Sequence, residues 1–186
     1  MESRDPSHNP LLNHADALVV IIDIQERLLP VMAGKEKVIE NVLKLVKVAR
    51  LLGLPIILTE QEKLGATIPE ISAQLKGIEP ITKVEFNCFA SRVFAERIRY
   101  LNRNTLIIAG LEAHICVAQT ALHARAGHAV QVVSDAIASR SPHNWEVALQ
   151  RMRQEGVTIT STEMVIYELL GKAGTDQFRE VLKLVK

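Results

Sequence analysis

Apolar residues along this chain fall into two alternating arrangements, short unbroken runs and longer stretches in which they recur every three or four positions. The first run, "ALVVIID" from Ala17 to Asp23, is almost continuously apolar and ends in a carboxylate, the pattern of a strand buried on both faces. "KEKVIENVLKLVKVARLLG" follows, with Val38, Val42, Leu45, Ala49 and Leu52 at helical spacing and Gly53 as the stop. "LPIILTEQ" reads as a second strand, "TIPEISAQL" as a short helix and "PITKVE" as a weaker third strand. The alternation then becomes regular. "SRVFAERIRYLN" is helical, "TLIIAG" a strand, "ICVAQTALHARAG" helical and "HAVQVVSDA" a strand. "PHNWEVALQRMRQEG" is helical, with Pro142 in its lead-in and Gly156 as its stop, and "VTITST" is the last strand. "EMVIYELLG" and "TDQFREVLKLV" close the chain as helices.

Six apolar strands alternating with helices predict an α/β domain with a doubly wound, six-stranded parallel sheet covered by helices on both faces. The expected strand order is 3-2-1-4-5-6, which makes strands one and four neighbours. Ligands of such sheets sit beyond the carboxyl ends of the strands, where the strand order reverses. Residues 15–186 are read as this one domain. The polar, proline-containing "MESRDPSHNPLLNH" is read as a loose arm over residues 1–14, because it lacks the pattern of a signal peptide. No internal repeat, low-complexity tract or interdomain linker interrupts the rhythm.

Composition narrows the partners. The chain has 186 residues, a formal net charge of +1 and only 4% aromatic residues. Without a basic block or stacking aromatics, nucleic acid and anionic membrane are excluded as first expectations. No apolar run approaches the ~20 residues of a membrane span. Two cysteines, Cys88 and Cys116, are too few for a disulfide framework, so a reducing, cytoplasmic setting is expected. No glycine-rich phosphate-binding motif is present, so no nucleotide cofactor is expected.

Chemistry should then lie just past the strands. The first strand ends at Asp23, the second at Thr59, Glu60 and Gln61, the third carries Lys83, and the fourth leads into Cys116. An acid, a cation and a thiol are what a cysteine hydrolase requires: a base, a charge favouring the thiolate, and a nucleophile. Each has an ordinary alternative. Asp23 could cap a turn, Lys83 could be a surface lysine beside Glu85, and Cys116 could be a small buried hydrophobe. At a helix N-terminus, however, the Cys116 thiol would have a lowered pKa. Cys88 is read as a structural thiol. His123 and His128 lie five apart, which is not the spacing of two metal ligands on one helix face, and no metal is expected.

The stretches "VVIIDIQ", "ITKVEFNCF" and "IIAGLEAHICV", in that order, resemble the isochorismatase-like hydrolase superfamily, over about Ala17 to Met164. The resemblance implies a three-layer α/β/α fold and a triad of Asp23, Lys83 and Cys116. It also implies an oxyanion hole made by the backbone N–H groups of Glu112 and Cys116, presented through a cis peptide at Leu111–Glu112. Isochorismatases proper generally carry glycine in place of the thiol, so the cysteine here points to cleavage of a small-molecule amide or related C–N bond through a thioester. Nicotinamidases carry an Asp-x-His metal cluster after the second strand, where this chain reads "TEQEKLGAT", without histidine. The match is therefore to the less characterised branch of the superfamily. Gln25, Glu60, Gln61, Phe86, Phe89 and His114 are the candidates for lining a substrate pocket. Relatives are often dimers or larger rings, so a homo-oligomer is expected. Two other readings stay open: vinyl-ether hydrolysis by Asp23 alone, and a non-catalytic oligomeric or thiol-sensing module.

Overall fold

A computed structural model describes residues 11–185. Six strands form one parallel sheet: β1 (Ala17–Ile22), β2 (Ile56–Gln61), β3 (Ile81–Lys83), β4 (Thr105–Leu111), β5 (Ala129–Ala138) and β6 (Thr158–Thr160). Their order is β3-β2-β1-β4-β5-β6. Seven α-helices accompany them: α1 (Lys35–Leu52), α2 (Pro69–Ser72), α3 (Arg92–Leu101), α4 (Ala118–Ala124), α5 (Pro142–Gln154), α6 (Thr162–Leu170) and α7 (Asp176–Val185).

The unbroken apolar runs follow from coverage on both faces. Alternate side chains of a strand point to opposite sides. Val19 and Ile21 of β1 join Val42, Leu45 and Ala49 of α1 in one core. Leu18, Val20 and Ile22 join Phe94 of α3, Ala121 of α4 and Met152 of α5 in the other. Helices α6 and α7 complete the first layer, where Ile166 and Val181 pack against Val48. Gly53 stops α1 in the left-handed conformation, φ 71°, and its N–H returns to the carbonyls of Ala49 and Arg50.

The sequence boundary of the arm moves. Leu12 is buried in the first core and its N–H donates to Glu168 Oε2 at 3.1 Å, so the packed domain includes residues placed in the loose arm. An apolar side chain beside an open core edge gains more from burial than from freedom. Residues 1–10 lie outside the described residues.

The strand order reverses between β1 and β4, whose registers run from Ala17–Thr105 to Ile22–Gly110. At that last pair the two backbones touch. A Cβ on Gly110, whose φ is 123°, would stand 2.0 Å from the Ile22 carbonyl oxygen. Glycine is thus required where the sheet opens toward Asp23. Gly110→Ala is expected to destabilise the protein by more than about 3 kcal/mol, because both backbone strain and overlap must be relieved. Urea denaturation checks this, and a change below 1 kcal/mol would contradict the close approach.

Candidate active site

The carboxyl ends of β1, β3 and β4 bring Asp23, Lys83 and Cys116 together beneath the surface; the residues are 0%, 3% and 5% exposed. Asp23 follows β1 directly and turns with φ 51°, a left-handed conformation that aspartate tolerates better than most residues. Its N–H donates to the Thr59 carbonyl at 3.2 Å, which continues the β1–β2 ladder by one residue. The Thr59 hydroxyl donates to Asp23 Oδ1 at 2.7 Å, and Lys83 Nζ donates to Oδ2 at 2.7 Å.

Lys83 has three N–H donors. They meet Asp23 Oδ2, Gln61 Oε1 at 2.7 Å and the Glu85 carbonyl at 3.1 Å. The Cys116 sulfur lies 3.8 Å from the same nitrogen. With three oxygens closer, Lys83 acts on the sulfur by charge and by holding the carboxylate, with no donor left for a substrate. Burial works against its charge. The Asp23 carboxylate, and at alkaline pH the two thiols, outweigh burial and raise its pKa, so it remains an ammonium.

Cys116 does not stand in the first α-helical turn. Ala113–Val117 form a π-helical turn, and α4 begins one residue later. Nor is its thiol acidified as the helix-terminus argument expects. Burial, followed by the Asp23 charge, pushes it up to about 12 against the opposing pull of Lys83, and a hydrogen bond with Asp23 adds to the rise. A short turn's dipole cannot offset desolvation together with an adjacent carboxylate. The resting thiol is protonated and hydrogen-bonded to the Asp23 carboxylate. Cys88 is fully buried, its N–H donates to the Thr120 hydroxyl at 3.0 Å, and burial pushes its thiol up to about 11.

The Leu111–Glu112 peptide is cis. The Glu112 carboxylate is held from outside by Arg140, whose backbone N–H and Nε donate to Oε2 at 3.0 and 3.2 Å. The other candidates divide. Gln61 reaches the site through Lys83. Gln25 is fully buried, and its amide is committed to Gln61 O and N and to Gly65 O, so it braces the β2 end. Glu60 Oε1 accepts from the N–H and hydroxyl of Thr67, both at 2.7 Å, and fixes the following loop. Phe86 is 54% exposed at the surface. Phe89 turns away into an aromatic cluster, stacked on His123 at 4.9 Å and edge-on to Phe94 at 5.1 Å. The His114 ring lies between Ser139 Oγ, 2.9 Å from Nδ1, and Asn144 Nδ2, 3.4 Å from Nε2.

Thr59 and Arg140 are the positions whose roles were not legible. Thr59 had a signal, a hydroxyl closing an apolar strand. Arg140 had none, because its partner lies in another loop.

Comparison with known proteins shows the family and the fold. The family model "Isochorismatase domain" matches residues 17–164. The mouse (Mus musculus) isochorismatase domain-containing protein 2A is 39% identical over 176 residues, covering 91% of this chain and 82% of the mouse protein. Among solved structures, MAR1 ribonuclease from Caenorhabditis elegans superposes with a TM-score of 0.88 at 30% identity, covering 94% of this chain and 92% of that one. YcaC from Escherichia coli, described as an octameric hydrolase of unknown specificity, gives a TM-score of 0.88 at 28% identity, covering 94% and 90%.

The electrostatics give a signed expectation for the thiol. Asp23 raises the Cys116 pKa and Lys83 lowers it. Asp23→Asn is therefore expected to speed alkylation of Cys116 by iodoacetamide at pH 9, and Lys83→Met to slow it. Each unit by which the pKa falls raises the thiolate fraction about tenfold well below the pKa. Mass spectrometry separates Cys116 from Cys88. A rate for Asp23→Asn at or below that of the unmodified protein would contradict the assignment.

Proposed function

The chain belongs to the isochorismatase family of hydrolases, and within it we propose cleavage of a small-molecule amide or related C–N bond through a thioester on Cys116. The observation that carries this reading is the single ammonium of Lys83, 2.7 Å from the Asp23 carboxylate and 3.8 Å from the Cys116 sulfur. When the thiol proton passes to Asp23, negative charge moves from oxygen to sulfur without leaving the reach of that cation. The net charge of the buried group does not change, so burial does not oppose the transfer as it opposes ionisation of an isolated thiol.

The steps follow from that transfer. The thiolate attacks the amide carbon, and charge builds on the carbonyl oxygen. In this proposal the N–H groups of Glu112 and Cys116 receive that charge. The C–N bond breaks as Asp23 returns its proton to the departing amine. Asp23 then takes a proton from water, whose oxygen attacks the thioester, and the acid leaves with the Cys116 thiol restored. Thr59 and Gln61 are positioning residues: Thr59 fixes one carboxylate oxygen, and Gln61 fixes the ammonium on the other.

A net charge of +1 with no basic stripe supports a small-molecule substrate over a polyanion. The two free thiols, both buried, support a cytoplasmic setting. No helix among the described residues is long and apolar enough to cross a membrane. A homo-oligomer is proposed too. Val84 and Phe86, just after β3, and Val93, at the start of α3, are 62%, 54% and 58% exposed, apolar side chains that a second copy would cover.

Cys116→Ala is expected to abolish ammonia release from any amide the protein hydrolyses, with the circular dichroism spectrum unchanged. Ammonia release surviving that substitution would remove the nucleophile assignment; vinyl-ether cleavage by Asp23 alone would instead appear as ammonia-free hydrolysis of a vinyl ether that Cys116→Ala leaves intact. Sedimentation at micromolar concentration is expected to give a species larger than the 20.6 kDa chain; a monomer there would end the oligomer proposal.

A further inference from the structure

Between α3 and the turn that joins α4 to β5 lies a cavity of about 320 Å³, at the lower end of the small-molecule range. Two of its lining residues, Asn104 and His128, immediately precede β4 and β5. The cavity therefore lies by the amino ends of these strands, whereas the triad stands past the carboxyl ends of β1, β3 and β4. None of Asp23, Lys83 and Cys116 lines it. Ile98, which is buried, and the half-buried Ala95 and Phe89 give it an apolar wall, and the Phe89 and His128 rings are 6.0 Å apart.

Its charges are of one sign. Arg99 and Arg103 both line it, and among the described residues neither guanidinium makes a hydrogen bond or an ion pair. No carboxylate stands in the lining. Two acids lie beside lining residues, and both are engaged. Asp16 Oδ1 accepts from the N–H and Nδ2 of Asn104 at 3.1 and 3.0 Å, and Glu96 Oε1 accepts from Arg92 Nε at 2.7 Å.

An arginine in the last turn of a helix is ordinarily explained by the helix dipole, and that accounts for Arg99. It does not account for Arg103. That residue stands beyond α3, after Asn102 has turned left-handed with φ 48°, and its side chain is half-buried without a partner beside a second cation. Partial desolvation and like-charge repulsion both oppose this arrangement, and a bound anion relieves both. Against two guanidinium charges the helix end sets about −0.5, which leaves about +1.5. A phosphomonoester carries about −1.5 to −2 at pH 7, and its oxygens match the fork of donors on each arginine.

We propose that this cavity is a second ligand site, which binds a small phosphomonoester with a ring-sized apolar body. The Arg99 and Arg103 guanidinium groups hold the phosphate, and the body lies against Ile98 and Phe89. The site is independent of the reaction at Cys116, so it stands or falls apart from the nucleophile assignment.

Phenyl phosphate titrated into the protein by isothermal calorimetry is expected to bind saturably at one site. Phenol is expected to give no heat of binding, and inorganic phosphate to bind at least tenfold more weakly. Arg99→Gln, at an exposed position, and Arg103→Gln are each expected to weaken phenyl phosphate about tenfold, the scale of one charge-assisted contact. Arg103→Lys, which keeps the charge and loses the fork, should fall between them and the unmodified protein. Raising the salt from about 0.1 M to about 1 M, which shortens the screening length from ~10 to ~3 Å, should weaken binding further. Circular dichroism checks that each variant is folded. Absence of saturable binding, or binding that both glutamine variants leave unchanged, would overturn the proposal. Inorganic phosphate binding as tightly as phenyl phosphate would overturn it too, because the apolar wall would then contribute nothing. So would a fall in sedimenting mass of the ligand-free glutamine variants, which would assign the arginines to a contact between copies of the chain.

Discussion

The buried ion pair between Asp23 and Lys83 is the constraint on which the reactive end of this molecule is built. Neither side chain has measurable exposure, and their charged atoms are 2.7 Å apart. Withdrawing two such charges from water is costly, and attraction offsets the cost only when the remaining hydrogen-bonding capacity is also met. Here it is. The carboxylate takes the Thr59 hydroxyl on its other oxygen, and the ammonium takes Gln61 Oε1 and the Glu85 carbonyl. Three strands must therefore end in register, with β1 giving the acid, β2 the hydroxyl and the amide, and β3 the cation. The adjacent pairings Ile22–Thr59 and Gln61–Lys83 show that register.

That pair also explains the state of the thiol. A cysteine next to a lysine is usually taken as ionised, but the Asp23 carboxylate lies close as well, and burial favours the neutral form. The sulfur therefore keeps its proton beside that carboxylate. The arrangement resembles a base held ready beside an acid more than a preformed thiolate. It keeps the thiol unreactive toward adventitious electrophiles while leaving its proton one hydrogen bond from the Asp23 carboxylate.

Around this centre the fold divides its tasks by layer. The helices over Val19 and Ile21 and those over Val20 and Ile22 bury the sheet on both sides, leaving only its carboxyl edge for chemistry. Along that edge, the β1–β4 reversal holds the acid and the thiol. Gln25 and Glu60 stand outside that set. They fasten the segment after β2, which keeps Gln61 on the ammonium. Helix α6 turns Val165 and Leu169 into the first core and leaves Met164 and Tyr167 exposed.

The sequence by itself determined the layered architecture, because a strand covered on both faces must be continuously apolar and a covering helix must repeat its apolar positions at 3.6 residues. Those patterns are local and survive without knowledge of partners. It also marked Asp23, Lys83 and Cys116 as residues at strand ends, where parallel sheets expose their chemistry, and the Leu111–Glu112 cis peptide came from resemblance to relatives. Only the tertiary structure decided where side chains point once the strands stop. The left-handed turn at Asp23 aims its carboxylate inward, the π-helical turn sends His114 toward Ser139, and the cluster around Phe94 draws Phe89 away from the sheet edge. The pKa of Cys116 likewise waited on the fold. Charge and desolvation act through distances of a few ångströms between residues that lie 33 and more positions apart in the chain, and no local pattern encodes such distances.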